Sequence, residues 1–210
     1  MEYLHKVVVI GDIGCGKTSF IKRAVHGIFS AHYNSTIGVD FALWFLKDGD
    51  DTHRLQLWDV AGQERFGNMT RVYFKETHGC IIMCDRTRSS TVEAVQKWLS
   101  DFKRKHGNSD FEPPCYLIFN KVDLSNDNST REMEDAAAKF GDDFSKVFYI
   151  SCKDSDKGLL DKILLQLSMD IVQKSKIAEQ KAIEAEKIKM SISENKIPDD
   201  LNSETLTIYR

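Results

Sequence analysis

Gly11-Asp12-Ile13-Gly14-Cys15-Gly16-Lys17-Thr18 decides how the rest of the chain reads. The β-branched run Val7-Val8-Val9-Ile10 precedes it and predicts a buried strand over residues 5–10, and residues 17–27 predict a helix. A G-x-x-x-x-G-K-[ST] pattern between a strand and a helix is a phosphate cradle. Gly14 and Gly16 let the backbone turn so that its N–H groups face inward, where they bind anionic oxygens. The helix that follows adds the positive end of its dipole. Lys17 reaches the β- and γ-phosphates as a point charge, and the Thr18 hydroxyl takes a place on Mg²⁺.

Working outward, strands and helices alternate. Residues 39–47 and 54–59 predict two strands joined by the hairpin turn Asp48-Gly49-Asp50-Asp51. Cys80-Ile81-Ile82-Met83-Cys84 is a continuous apolar run, as a central parallel strand requires. Further strands are expected at 115–119, after Pro113-Pro114, and at 147–150. Helices are expected at 91–105, 130–140 and from 157 on, with an irregular one over 63–77. The pattern predicts an α/β fold: a six-stranded, mostly parallel sheet with one antiparallel strand and about five helices on both faces. Ligands in such sheets bind outside the carboxyl ends of the strands, and every motif below lies at such an end.

The composition narrows the class. In 210 residues, 41% are apolar, enough for one globular domain with something attached. A net charge of −3 implies no general attraction to nucleic acid or to an anionic membrane. The chain opens almost directly on a strand, so no signal peptide is expected, and no apolar run approaches bilayer length. The cysteines, Cys15, Cys80, Cys84, Cys115 and Cys152, show no zinc-ligand spacing, and most lie in apolar runs. They read as small buried hydrophobes in a reducing cytosol. Cys15, inside the phosphate loop, is either such a filler or a thiol of lowered pKa.

Two more strand ends carry chemistry. Trp58-Asp59-Val60-Ala61-Gly62-Gln63-Glu64 follows the third strand. Asp59 there holds Mg²⁺ through water, Gly62 brings a backbone N–H to the γ-phosphate, and Gln63 orients an attacking water. Asn120-Lys121-Val122-Asp123 follows the fifth strand. Its carboxylate accepts the adjacent N1 and N2 donors of guanine, whereas adenine would leave Asp123 facing an acceptor. After the sixth strand come Ser151-Cys152-Lys153, where the Cys152 N–H can meet guanine O6. Phe29 either stacks on the base edge or is an ordinary packed aromatic.

Together these residues resemble the Ras superfamily of small GTPases and, more finely, the Rab family. Ile37-Gly38-Val39-Asp40-Phe41 and the run from Trp58 through Gln63 to Tyr73 carry the finer match. Phe41-Ala42-Leu43 and Phe66-Gly67-Asn68-Met69-Thr70 look most like the Rab-thirty-two/thirty-eight branch. The resemblance spans residues 5–173 and implies a phosphate-loop GTPase domain over 1–174. It implies binding of GTP or GDP with Mg²⁺, slow GTP hydrolysis with Gln63 as the catalytic residue, and recruitment of effectors in vesicle traffic. A binding module with vestigial hydrolysis is the alternative.

By the same resemblance Ile13, Gly14, Cys15, Gly16, Lys17, Thr18, Ser19, Tyr33, Thr36 and Gly62 bind phosphate. Thr18, Thr36 and Asp59 serve the metal. Phe29, Asn120, Lys121, Asp123, Ser151, Cys152 and Lys153 bind guanine and ribose. Loss of the γ-phosphate would release the 30–40 and 62–76 segments. Phe41, Trp58 and Tyr73 match the aromatic triad that reads effectors, unless they only cover the sheet. An exchange factor and a GTPase-activating protein are expected partners, and a monomer is expected.

Three departures stand out. Ile13 occupies a position where relatives often carry glycine or serine; its side chain should point toward Gln63 and slow hydrolysis. Arg86, after the fourth strand, replaces a more usual apolar or small residue, and the sequence gives no account of it. Residues 175–210 end in Leu206-Thr207-Ile208-Tyr209-Arg210, without the cysteines that Rab proteins prenylate. This tail is expected to be helix-prone to about Met190, as a solvated extension or as a partner-binding helix. Any membrane contact is expected to be indirect, with a cytoplasmic location or one at the cytosolic face of endomembranes through a partner.

Overall fold

Val7-Val8-Val9-Ile10 offers no polar face, so a strand made of it must be covered on both sides; all four residues are fully buried. The computed structural model describes residues 1–32, 34–62, 70–107, 111–124, 140 and 143–193. Its strands are β1 (Glu2–Ile10), β2 (Val39–Asp48), β3 (Asp51–Val60), β4 (Gly79–Asp85), β5 (Cys115–Asn120) and β6 (Lys146–Tyr149). They form one six-stranded sheet in the order β2-β3-β1-β4-β5-β6. Only β2 runs antiparallel, paired to β3 from Val39↔Val60 to Asp48↔Asp51 around Gly49, whose φ of 58° suits a tight hairpin turn.

The described residues carry the helices α1 (Lys17–His26), α2 (Thr70–Phe74), α3 (Ser89–Glu93), α4 (Val95–His106) and α5 (Lys157–Ser193). Alternation along each strand sends side chains to opposite faces. Val7, Val9, Leu57, Ile81 and Met83 pack with Phe20 and Ala24 of α1 and with Leu160, Leu164, Leu167 and Ile171 of α5. Val8, Ile10, Cys80, Ile82, Leu117 and Phe119 pack on the other face with Phe74 of α2 and with Val95, Trp98, Leu99 and Phe102 of α4. Helices therefore cover both faces, as the alternation predicts.

The differences lie at element ends. β1 starts at Glu2, not near residue 5, because Glu2–Lys6 pairs with Thr52–Gln56 of a β3 that is itself longer than expected. The helix expected over 91–105 begins at Ser89 and loosens at Ala94 (φ −72°, ψ −14°) before α4. The helix expected over 130–140 lies outside the described residues except for its last position, and so does most of the first half of the one over 63–77. α5 runs 37 residues, about 55 Å, through position 174 without a break. Beyond Ile171 it leaves the sheet: Ile177, Ile183 and Met190 are exposed.

Candidate functional site

The carboxyl ends of β1, β3 and β5 open onto one cavity of about 460 Å³, within the usual range for small-molecule sites. Ile13, Gly14, Gly16, Lys17, Thr18 and Ser19 line it from the loop after β1 and the start of α1. Gly16 has φ 101°, and a methyl group on it would strike the Asn120 amide, so the position requires glycine. The Lys17 ammonium is buried and donates to Gly11 O at 2.8 Å and Asp12 O at 3.0 Å. Anionic oxygens entering the cavity would compete with these carbonyls for a full positive charge. Cys15 is fully buried, and burial raises its thiol pKa against the opposing pull of Lys17, so it is a filler and not a reactive thiol. Gly62 lies against this loop so closely that a side chain there would strike Ile13 N and Asp12 C.

Beside the loop sits a cluster of oxygens. Thr18 Oγ1 donates to Asp59 Oδ2 at 2.5 Å, Thr36 Oγ1 donates to the same oxygen at 3.3 Å, and the two hydroxyls are 2.8 Å apart. Asp59 Oδ1 is buried with no partner among the described residues. Burial pushes the Asp59 carboxyl above the usual range, opposed by the Thr18 hydrogen bond, the Lys17 charge and the Thr36 hydroxyl. A buried carboxylate with an orphaned oxygen between two hydroxyls fits a hard divalent cation bound through oxygen. The three residues that the sequence assigns to Mg²⁺ are thus brought together.

On the opposite wall, Asn120 is 2% exposed and bridges two loops. Its Nδ2 donates to Cys15 O at 2.9 Å, and its Oδ1 accepts from Cys152 N at 3.0 Å. The Cys152 N–H, expected to meet guanine O6, is donated to Asn120 in this structure. Ser151 is buried and shapes its own loop, its Oγ accepting from Asp154 N at 3.0 Å. Phe29, Asp123 and Lys153 line the cavity, Phe29 also packing against the core and Asp123 standing exposed. Lys121, at φ 66°, lines it too, but its Nζ donates to Asp85 Oδ2 at 2.7 Å. Tyr33 and Gln63 lie outside the described residues.

Sequence reasoning missed the support of the phosphate loop. Asp85, 1% exposed at the end of β4, accepts from Lys121, from Arg88 Nε at 2.9 Å and from Thr87 Oγ1 at 2.7 Å. Burial works against its charge, but the hydrogen bonds from Lys121 and Thr87 outweigh that and hold its carboxyl below the usual range. Trp98 Nε1 of α4 donates to Asp12 Oδ1 at 2.8 Å. The one available signal was an aspartate closing an apolar strand, at the same sheet end as every other motif. Arg86 engages the fifth strand through its backbone, donating to Asn120 O at 3.0 Å.

Phe41, 72% exposed, and half-buried Trp58 lie side by side on the paired strands β2 and β3, ring centroids 6.1 Å apart. Tyr73 is half-buried on α2 and packs on the same face. Exposed Leu43 and Phe45 continue the apolar stripe along β2, and Val72 is exposed on α2.

The Ras family matches residues 6–173. Ras-related protein Rab-32A of Dictyostelium discoideum is 52% identical over 157 residues, 73% of this chain and 66% of that one. Ras-related protein Rab-32 of Homo sapiens is 57% identical over 130 residues, 61% of this chain and 58% of its own. Ras-related protein Rab-7L1 of Homo sapiens is 46% identical over 140 residues, 66% of this chain and 69% of its own. The chain thus spans just under two thirds of the Dictyostelium relative and less of the human Rab-32.

Proposed function

Because the chain belongs to the Ras family, in the Rab branch that holds the Rab-32 proteins, we propose that it is a guanine-nucleotide switch that binds GTP and GDP, hydrolyses GTP slowly and recruits effectors in membrane traffic. The convergence of Thr18, Thr36 and Asp59 beside the Lys17 ammonium carries this reading. A triphosphate seats its β- and γ-oxygens on Lys17 and on the loop N–H groups. The hydroxyls of Thr18 and Thr36, with Asp59 through water, would hold Mg²⁺, which would supply positive charge to neutralise those oxygens. Asp123 accepts the N1–H and N2–H of guanine, Phe29 covers the base edge, and Ser151, Cys152 and Lys153 close the base side. The Cys152 N–H reaches O6 only by sharing with Asn120.

In hydrolysis a water oriented by Gln63 attacks the γ-phosphorus, the bond to the β–γ bridging oxygen breaks, and GDP and phosphate result. Gly62, seated on the loop at Ile13, presents its N–H to the γ-phosphate. Thr36 and Gly62 both sense that group, so its loss releases the segments around them. Phe41, Trp58 and Tyr73 form the surface that effectors read, and exchange and activating proteins set the state. We place the nucleotide domain at 1–174 and a tail at 175–210, with the protein acting at the cytosolic face of endomembranes. No helix among the described residues is long and apolar enough to cross a membrane.

Single-turnover cleavage of [γ-³²P]GTP in Mg²⁺ tests the proposal. Slow phosphate release, faster with an activating protein and absent with ATP, is expected. Binding of GTP with no release even then would leave only the vestigial module; preference for ATP would sink both.

A further inference from the structure

Resting on the nucleotide reading above, we propose that Arg88 is a positioning residue for the phosphate loop, fixing the Ile13–Gly14 peptide so that the Gly14 N–H faces the phosphates. Arg88 stands at the N-cap of α3. Its Nε donates to Asp85 Oδ2 at 2.9 Å, while its Nη2 donates to Ile13 O at 2.6 Å. The guanidinium is planar, so anchoring Nε also fixes the direction of Nη2.

The anchor is itself held. Asp85 Oδ2 also accepts from Lys121 at 2.7 Å, and Oδ1 accepts from Thr87 N at 3.0 Å and Thr87 Oγ1 at 2.7 Å. A buried carboxylate with both oxygens engaged does not rotate, and so Arg88 keeps one orientation.

The consequence for the loop follows from peptide geometry. The Ile13–Gly14 bond is trans, so its C=O and N–H point in opposite directions. Ile13 and Gly14 line the cavity and Arg88 does not. With the carbonyl drawn outward to Arg88, the Gly14 N–H is turned inward, and it has no acceptor among the described residues. Gly14 has φ 70°, a conformation that residues with a side chain rarely adopt, so the loop holds this peptide orientation at a glycine. Gly62 packs so close to Ile13 N that a side chain on it would strike there. An N–H already aimed at the phosphate chain needs no reorganisation when the nucleotide arrives, the kind of electrostatic preorganisation that both holds a ligand and lowers a barrier.

Full-length wild type, Arg88→Ala and Arg88→Lys are loaded with fluorescent GDP and Mg²⁺, and dissociation is followed alongside the ³¹P spectrum of bound GDP. Arg88→Ala is expected to release GDP about tenfold faster, the loss of one charge-assisted hydrogen bond, and to shift the β-phosphate resonance. Arg88→Lys keeps a cation on Asp85 and so keeps the fold, but it lacks the fork that spans Asp85 and Ile13 O; it is expected to show the same ³¹P shift with wild-type thermal stability. Wild-type dissociation and an unmoved ³¹P signal in Arg88→Lys overturn the proposal, as does a loss in Arg88→Ala that only tracks its melting temperature. A wild-type chain that retains no GDP overturns the nucleotide reading, and this with it.

Discussion

At the carboxyl ends of its strands the sheet gathers Lys17, Asp59, Asp85, Arg88 and Lys121; at the amino ends it gathers His5, His53, His78 and His106. The first group is charged and cross-tied: Asp85 holds Arg88 and Lys121, and Lys17 holds loop carbonyls. The second is a cluster of packed rings. His53 Nδ1 lies 2.8 Å from the Ser168 hydroxyl, His106 Nε2 lies 3.0 Å from Thr77 O, and the His5 and His78 rings are 5.4 Å apart. His78 Nδ1 accepts from Lys6 N at 3.1 Å, so that nitrogen carries no proton. Burial, then Lys6 and His106, lowers the His78 pKa; burial, then His78 and His53, lowers that of His5 to about 4. A charge is tolerated where a partner or an incoming anion answers it. At the amino ends burial instead disfavours the charged form of His5 and His78.

The sharpest way to break that contrast is Asn120→Ala at pH 7. It strands Cys15 O and Cys152 N, both on buried residues, at about 1–3 kcal/mol each. We expect a loss of about 3 kcal/mol in urea unfolding and at least a hundredfold weaker GDP binding. His5→Leu at the other end removes a ring whose Nε2 is buried without a partner among the described residues, and should cost little at this pH. Equal losses from the two variants would mean that the carboxyl end is not specially cross-tied.

The contrast also explains what could be read in advance. The phosphate loop, the hairpin at Gly49 and the Asn120–Asp123 stretch are local: spacing alone places them at strand ends. The tie from Arg88 to Ile13 O is not local, since a guanidinium reaching a carbonyl far along the chain leaves no periodic trace. The Asn120 bridge was half legible: the residue was found, but its hold on Cys152 depends on how two loops meet. The histidine cluster was not legible because Glu2–Leu4 is too mixed to read as strand and the third strand was expected only from residue 54. Without those ends, the pairing of Tyr3 with His53 cannot be drawn.

Acid is the second lever. His5 titrates at about 4 in the fold and at about 6.5 when unfolded. Above pH 6.5 neither state binds the proton. As pH falls below 6.5 the unfolded chain takes it up and the fold does not, so stability is lost progressively down to about pH 4. The ring is half-exposed, and after screening the loss is about 1–2 kcal/mol, with His78 adding in the same direction. Urea midpoints at pH 7 and pH 5 should fall less for His5→Leu than for wild type. Parallel falls would place the acid sensitivity in carboxylates and not in this cluster.

The smallest expected effect falls inside the site. Ile13 is 42% exposed at the cavity wall, with its carbonyl held by Arg88 and its nitrogen against Gly62. Its side chain is therefore the one part of the residue that is not fixed, and it stands where the attacking water and Gln63 are proposed to act. Ile13→Gly should raise the single-turnover rate of GTP cleavage severalfold, about 1 kcal/mol of barrier. The substitution also frees the backbone, which by itself would slow the reaction. The anchors at Arg88 and Gly62 oppose that loosening, so the combined variant Ile13→Gly with Arg88→Lys should lose the gain. If Ile13→Gly leaves the rate unchanged, the isoleucine does not obstruct the water, and the slow hydrolysis must come from the missing partner arginine alone.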